Sequence, residues 1–467
     1  MPGEQRGLSS KPTSQVVKAR RLAVGLATPE TVGKLQTTLH AKAKNLPDYR
    51  FYTLYDKVYR SDVLTFAYQL CLANGGAPGV DGQTFEDIKA YGVRRWLDEL
   101  ATELREKTYR PEAVRRVMIP KPGQKGRYRP LGIPTIKDRV VETAALLALE
   151  PIFEADLQPE QYAYRPKRSA LDAVEHVYSL LDRGYREVID ADLSGYFDTI
   201  PHHELMKSVS RRISDGQMLR LIKMWLEAPV EEHDEGGKRR RTTRNKDTGR
   251  GSPQGSPISP LLANLYMRRF ILGWKVLGHD KRLRAHIVNF ADDFVICCHS
   301  NAEEAMAEMR TMMGKLKLTV NEEKTTICRI PEERFDFLGY TFGRYYSYRT
   351  GHPYITMSPS KEKSRRLCRE ISRLTGREWG WLDEKAQVAR LNRLMVGWSN
   401  YFSLGRIRRA YCNVDHHAVK RLRQWLCRKH KVRGQRGSSR FSDNYLHEQL
   451  GLVNIRMLRR NRSWAKA

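Results

Sequence analysis

Four aspartates in two short stretches are the residues of this chain best placed to do chemistry. In EVIDADL, Asp190 and Asp192 stand two apart and share one face of a β-prone run. Read alone, that run is equally an edge strand with a solvated acidic face. In HIVNFADDFVICCH, Asp292 and Asp293 are adjacent, and the flanking runs HIVNF and FVICC read as a hairpin with the carboxylates at its tight turn. Two neighbouring carboxylates beside apolar strands repel, and a cation between them offsets the cost. Magnesium suits the position: it is a hard ion that takes one or two carboxylates and keeps its other sites for water and substrate phosphates. With a third carboxylate from another strand, such a site holds two ions about 4 Å apart, one activating a hydroxyl nucleophile and one steadying a leaving pyrophosphate. That is the chemistry of nucleotidyl transfer.

The elements that must position these groups follow from periodicity. From YRFYTLYDKVYRSDVLTFAYQLCLANGG to about Phe342, helical patterns alternate with short β-rich runs, which indicates an α+β unit. Within it, EEHDEGGKRRRTTRNKDTGRG is charged and aperiodic, a loop or irregular hairpin. After GHPYITMSPS the strands give out, and EKSRRLCREISRL, EKAQVARLNRLMVGWSNYFSL and HAVKRLRQWLCRKH read as helices. In the second, Val388, Leu391, Leu394, Trp398 and Phe402 recur at steps of three and four and form one apolar stripe. Before about Leu46 the chain is polar and basic, and GLSSKPTSQ reads as flexible.

A chain of 467 residues exceeds one compact core and implies two or three domains. Its 83 Lys and Arg against 53 Asp and Glu give a formal charge of +30, which points to a polyanionic partner, most commonly nucleic acid. The excess is concentrated: from Lys361 to Ala467 there are 27 Lys and Arg against 8 Asp and Glu. Five of the eight tryptophans, Trp379, Trp381, Trp398, Trp425 and Trp464, lie in the same region. Seven cysteines without a CxxC pair supply neither a zinc site nor a disulfide framework, and adjacent Cys297 and Cys298 point to opposite faces of a strand. A reducing cytoplasm is therefore expected. The longest apolar run, VVETAALLALEPIF, is interrupted by Glu142 and Glu150 and is too short to span a membrane. The N-terminus has no secretory core, and we read it as a basic arm rather than a transit peptide.

DADLSGYFDTI, GSPQGSPISPLLANLYM, FADDF, LKLTVNEEKTTI and FDFLGYTF, in that order, resemble successive palm motifs of group II intron reverse transcriptase/maturases. GAPGVDGQTFEDI, RRVMIPKPGQKGRYRPLGIPTIKDRVVE and QYAYRPKRSALDAV resemble the fingers and early palm of that family, and GWSNYFSLG its maturase domain X. The resemblance implies an α+β right-hand polymerase followed by an all-helical thumb. Its expected parts are a flexible basic arm (1–49), fingers and palm (50–345), thumb and domain X (346–430), and a basic tail that binds DNA or RNA (431–467).

Roles follow residue by residue from the resemblance. Asp192 matches the first metal ligand, and Asp292 and Asp293 the catalytic pair, with two magnesium ions (Mg2+) expected and manganese (Mn2+) as substitute; Asp190 falls outside this triad. Phe197 sits where a bulky side chain packs against the sugar of the incoming nucleotide and rejects a 2′-hydroxyl; core packing is the alternative. Gln254 matches the glutamine near that nucleotide, and Lys121 and Arg129 match the fingers residues that grip triphosphate, nonspecific phosphate contact being their alternative. Lys324 corresponds to a proton donor for pyrophosphate, although a lysine is ordinary on any surface. Phe290 replaces the tyrosine common in the family. RNA contact is expected from Arg406, Arg408, Arg409, Arg421, Arg423, Arg428, Lys429 and Lys431, and from RMLRRNR, whereas Trp398 on an apolar stripe reads as core.

The function implied is an RNA-directed DNA polymerase encoded by a group II intron, binding the intron RNA to assist splicing and target-primed mobility. Its partners would be intron RNA, RNA template, DNA primer or target, and deoxynucleoside triphosphates. No paired cysteines of an HNH endonuclease follow domain X, so a primer supplied otherwise is expected. A splicing-only maturase and a reverse transcriptase domesticated for defence or diversity generation share the same palm. An RNA-directed RNA polymerase is disfavoured by Phe197 and FADD.

Overall fold

The two aspartate stretches meet in one sheet. A computed structural model of the chain describes residues 26–120, 126, 128–233, 239–347, 349–432 and 436–458. Its central sheet joins β3 (Glu187–Asp192), β6 (Ala285–Phe290), β7 (Asp293–Cys298) and β8 (Thr326–Arg329) in the order β6-β7-β3-β8. All pairs in it are antiparallel. Both faces are covered, which explains the unbroken apolar runs. Ile287, Phe294, Ile296 and Cys298 share a core with helices α3 (Ile136–Glu154) and α6 (Ser259–Val276), while Val288, Val295 and Cys297 share another with α4 (Ala170–Asp182). The adjacent cysteines face opposite ways as expected, and all seven are free.

Two further sheets, of four and three strands, complete the strand inventory of the described residues. The first combines β1 (Val114–Pro120), β2 (Tyr128–Ile133), β4 (Val230–His233) and β5 (Arg239–Thr242) in the order β2-β1-β4-β5, so the charged aperiodic stretch contributes a hairpin. The second pairs β9 (Phe335–Phe337), β10 (Tyr340–Tyr346) and β11 (Pro353–Pro359). Because β10 and β11 pair along their whole lengths, a boundary at 345 would cut a hairpin; the change from sheet to helices falls at Ser360.

Helix α1 (Glu30–Asn45) revises the expectation of a flexible arm up to residue 49; residues 1–25 lie outside the described part. Its buried Val32, Leu39 and Ala43 pack into the core shared with α2 (Ser61–Asn74) and α3. Helix geometry orphans the last carbonyls of α1, and the fully buried Arg212 satisfies them. Its Nη2 donates to Ala43 O at 2.6 Å and its Nη1 to Leu46 O at 3.0 Å.

The C-terminal domain is built from α7 (Lys361–Leu374), α8 (Glu384–Tyr401) and α9 (Arg408–Lys429) around Leu367, Ile371, Leu391, Leu422 and Trp425. Ser360 and Asp383 cap α7 and α8, each accepting a backbone N–H of the first turn. The expected basic tail also needs revision: residues 436–458 fold back onto these helices and bury Phe441, Leu446, Leu452 and Ile455. Residues 433–435 and 459–467, including most of RMLRRNR and Trp464, lie outside the described part. The stripe on α8 is core, as its spacing predicts. At its end the rings of Trp398 and Phe402 pack 4.8 Å apart, and Phe402 continues onto Tyr340 of β10.

Backbone geometry at two points holds these parts together. In the β6–β7 hairpin, Ala291 adopts φ 62°, a left-handed conformation costing roughly 1 kcal/mol for a residue with a Cβ. The fully buried Asn289 steadies it, donating from Nδ2 to Ala291 O at 2.8 Å. At the junction with the helices, Gly405 has φ 66°, and a Cβ there would lie 2.2 Å from Met357 O. Asn289→Ala should therefore cost about 1–3 kcal/mol, read as a lowered melting temperature. Gly405→Ala should destabilise by roughly 2 kcal/mol or more and expose the α8–α9 junction to limited proteolysis.

Candidate active site

Asp192 ends β3 and Asp293 begins β7, and the antiparallel register sets them directly opposite each other. Asp292 occupies the turn just before. Directly opposed residues have Cβ atoms about 4.5–5.5 Å apart, where like charges destabilise a sheet. The site bears the mark of that repulsion. Asp293 retains solvent access, yet desolvation by the protein around it, followed by Asp292, Asp192 and Asp190, pushes its carboxyl up to about 7, against the pull of Lys324. Asp190 is pushed up to about 6 by burial, with Asp192 and Asp336 adding to the effect. Although it falls outside the triad that the resemblance implies, Asp190 is electrostatically part of the cluster.

These oxygen-only donors suit a hard divalent cation. Among the described residues, however, no three His, Cys, Asp or Glu groups stand already gathered for a metal. The Asp192 carboxylate is instead engaged by protein: Lys324 Nζ lies 2.7 Å from Oδ2, and Asn321 Nδ2 donates to the same oxygen at 3.0 Å. Asn321 also donates its backbone N–H to Asp192 O at 2.8 Å. An ion ligating that oxygen would have to share it with the ammonium or displace it.

The nucleotide-binding candidates Arg129 and Gln254 are joined to each other. Lys121 lies outside the described residues. On β2, Arg129 donates from Nε to Gln254 Oε1 at 3.0 Å, and Gln254 Nε2 donates to Asp198 Oδ2 at 3.2 Å. The Gln254 loop can come this close because Gly132 N donates to Gln254 O at 2.7 Å and Gly255 adopts φ 127°. A Cβ on Gly255 would stand 2.1 Å from Gly132 O. The same loop runs along α5 (Tyr196–Thr199), with Ser252 N donating to Phe197 O at 2.7 Å and Gly251 N to Ile200 O at 2.9 Å. Phe197 itself is only 6% exposed and lies in the palm core, its ring edge-on to Tyr196 at 5.7 Å.

Four residues of the site were not singled out from the sequence: Asp198, Asn321, Asn289 and Tyr164. Tyr164 has φ 56°, and its hydroxyl is pushed up to about 12, first by burial and then by Asp292, with Arg129 opposing. It therefore stands near both the aspartate turn and the fingers arginine. Its neighbour Arg165, 5% exposed, anchors the segment by an ion pair to Glu154 at 2.7 Å. The motif QYAYRPKRS contained both residues, but nothing in their spacing tied them to carboxylates far along the chain.

The eight expected RNA contacts divide into two groups. Arg408, Arg409 and Lys431 are exposed. The others also hold the fold. Arg421 Nη2 donates to Ser372 O at 3.0 Å, Arg428 Nη2 to Thr375 O at 2.6 Å, and Lys429 Nζ to Leu382 O at 3.0 Å. Arg423 Nε donates to Phe441 O at 2.8 Å, and Arg406 Nη1 to Tyr346 O at 2.8 Å.

Comparison with known proteins agrees with this division into palm and helices. Residues 119–342 match the family model for reverse transcriptase (RNA-dependent DNA polymerase), and residues 364–441 match the group II intron, maturase-specific domain. Protein YkfC of Escherichia coli (strain K12) is 33% identical over 380 residues, covering 73% of this chain and 96% of that protein. Group II intron-encoded protein LtrA of Lactococcus lactis subsp. cremoris is 32% identical over 353 residues, covering 62% of this chain and 56% of LtrA. An uncharacterized 91 kDa protein in the cob intron of Schizosaccharomyces pombe is 23% identical over 481 residues, covering 87% of this chain and 57% of that protein. The alignment thus spans little more than half of the latter two relatives. A reverse transcriptase domain followed on one chain by the maturase-specific domain makes this protein a member of the group II intron reverse transcriptase/maturase family.

Proposed function

We propose that the chain copies RNA into DNA at Asp192, Asp292 and Asp293 with two magnesium ions, and that it binds the RNA of the intron encoding it to assist splicing and target-primed mobility. The observation that carries the polymerase reading is the register opposing Asp192 to Asp293, together with the hydrogen bond from Arg129 on β2 to Gln254 on the loop before α6. Reverse transcriptases as a family use divalent cations, and when bound these would supply an activated primer hydroxyl and relieve charge on the leaving pyrophosphate. The protein's own part is to hold and orient. Arg129 and Lys121 bind the triphosphate, Gln254 and Phe197 border the sugar, and Lys324 passes a proton from Nζ to departing pyrophosphate once released from Asp192.

The splicing role rests on the helical domain, whose exposed cations lie apart from the aspartate site in sequence. Arg408, Arg409 and Lys431 are the strongest candidates for phosphate contact, because no fold-holding hydrogen bond ties up their charge among the described residues. Among those residues no helix is long and apolar enough to cross a membrane. Seven free cysteines and a DNA target suit the cytoplasm, with the nucleoid as the place of work during mobility.

Primer extension on an RNA template with magnesium should incorporate deoxynucleotides in preference to ribonucleotides. Asp292→Ala should lower it by roughly a thousandfold, the several kcal/mol that a metal centre contributes, while intron splicing persists. A wild-type chain inactive on every template and divalent ion would refute the polymerase reading. Replacing Arg408 and Arg409 together by Gln should weaken intron RNA binding and flatten its salt dependence by a slope of about one to two, whereas the control Arg421→Gln should lower the melting temperature of the helical domain.

A further inference from the structure

We infer that Asp198 is a positioning residue: it fixes which way round the amide of Gln254 lies, and Gln254 in turn orients Arg129 for the incoming nucleotide. This role rests on the polymerase reading above and adds a residue to it.

A glutamine amide has nearly the same shape either way round, so only its partners decide where the oxygen and the nitrogen go. Here the partners have opposite demands. An ionised carboxylate can only accept, and a guanidinium can only donate. Asp198 Oδ2 takes Gln254 Nε2 at 3.2 Å, which leaves Oε1 to accept from Arg129 Nε at 3.0 Å. Turned over, the amide would set a donor against Arg129 and an acceptor against Asp198, two repulsive contacts in place of two hydrogen bonds. Backbone geometry cannot make this choice. Gly132 N holds Gln254 by its main-chain oxygen at 2.7 Å, which fixes the loop but leaves the side-chain amide free to turn.

The consequence falls on Arg129. Its Nε is engaged by Gln254, and among the described residues its two terminal nitrogens donate to no protein group. A guanidinium held by one edge presents the other in a fixed plane, the arrangement that suits bidentate contact with phosphate. Asp198 is well suited to be the fixed end of this chain. It sits on α5, where Phe197 O and, just past the helix, Ile200 O already hold the Gln254 loop, and Arg116, Arg244 and Arg129 oppose the desolvation that raises its carboxyl. It does not pair with Arg116 directly, since Arg116 Nη1 lies 2.8 Å from Glu232. Asp198 retains solvent access, so its influence on nucleotide affinity is expected to be moderate rather than absolute.

The test measures deoxynucleotide dissociation constants in a ternary complex with an RNA template and a 3′-dideoxy-terminated DNA primer, where no bond is made. Primer extension by the wild type is run alongside, so failure of the polymerase reading is seen separately. Asp198→Ala should weaken nucleotide binding by roughly three- to tenfold, the scale of one lost hydrogen bond, with primer–template affinity unchanged. In a Gln254→Ala background the same change should add nothing. The sharper arm reverses the donors. Gln254→Glu sets two carboxylates against each other and should bind nucleotide poorly. Adding Asp198→Asn should restore much of the loss, because the new amide can donate where the old carboxylate could not. An unchanged dissociation constant in Asp198→Ala, full additivity with Gln254→Ala, or no rescue by Asp198→Asn would each overturn the assignment. A purely structural role for Asp198 predicts that last pattern together with a lowered melting temperature.

Discussion

Repulsion among carboxylates across the β3–β7 pair is the constraint on which the rest of the palm depends. A sheet relieves such repulsion most simply by slipping one residue, which would turn one aspartate away from the other. Slippage is barred because both faces are buried: the same shift would move Cys297 and Cys298, and every residue between them and the turn, into the wrong core. Burial of the two faces thus holds the charges together, and the left-handed Ala291, braced by Asn289, prevents the turn from relaxing instead. Lys324 and Asn321 then compensate Asp192 from a segment that hydrogen-bonds the end of β3.

The fingers reach this centre by backbone rather than by side-chain packing. At Gly255 the Gln254 loop approaches Gly132 of β2 more closely than a Cβ on residue 255 would permit. The Gln254 loop is also secured from behind, where Ser256 Oγ donates to Glu142 and Ile258 N lies 3.4 Å from the same carboxylate. Burial pushes Glu142 up to about 8, so this carboxyl is largely neutral near pH 7 and occupies the core without an uncompensated charge. Glu142, one of the two glutamates that interrupt the longest apolar run of the sequence, therefore secures the Gln254 loop.

What could be read from the sequence was whatever depends on local spacing. The aspartate hairpin, the opposed cysteines, the stripe through Val388 and Leu391 and the core role of Trp398 each follow from a period of two or of three and four. What could not be read depends on partners far along the chain. Helix α1 has few apolar residues, and its end is capped by Arg212, 169 positions from Ala43. Residues 436–458 are too short in pattern to announce a fold, yet Asp415 on α9 accepts Ile455 N at 3.1 Å and Arg456 N at 3.2 Å. The basic residues of α9 looked alike in the sequence. Arg421 and Arg428 instead reach the carbonyls at the end of α7, where helix geometry leaves acceptors unpaired.

This use of arginine bears on how the two activities of such a protein share one chain. A domain that both holds RNA and closes a polymerase needs a rigid attachment and a cationic surface at once. The attachment here is aromatic and hydrogen-bonded: Tyr340 Oη donates to Tyr401 O at 2.6 Å, Tyr401 Oη donates to Leu338 O at 2.7 Å, and Phe402 packs on Tyr340. Tyr401 also lies near enough to Asp293 for that carboxylate to add to the rise that burial gives its hydroxyl. The joint between the helical domain and the palm therefore lies near Asp293, while the exposed Arg408 and Arg409 begin the next helix. Cations left free by this division can meet RNA without loosening the joint, because the joint uses none of them.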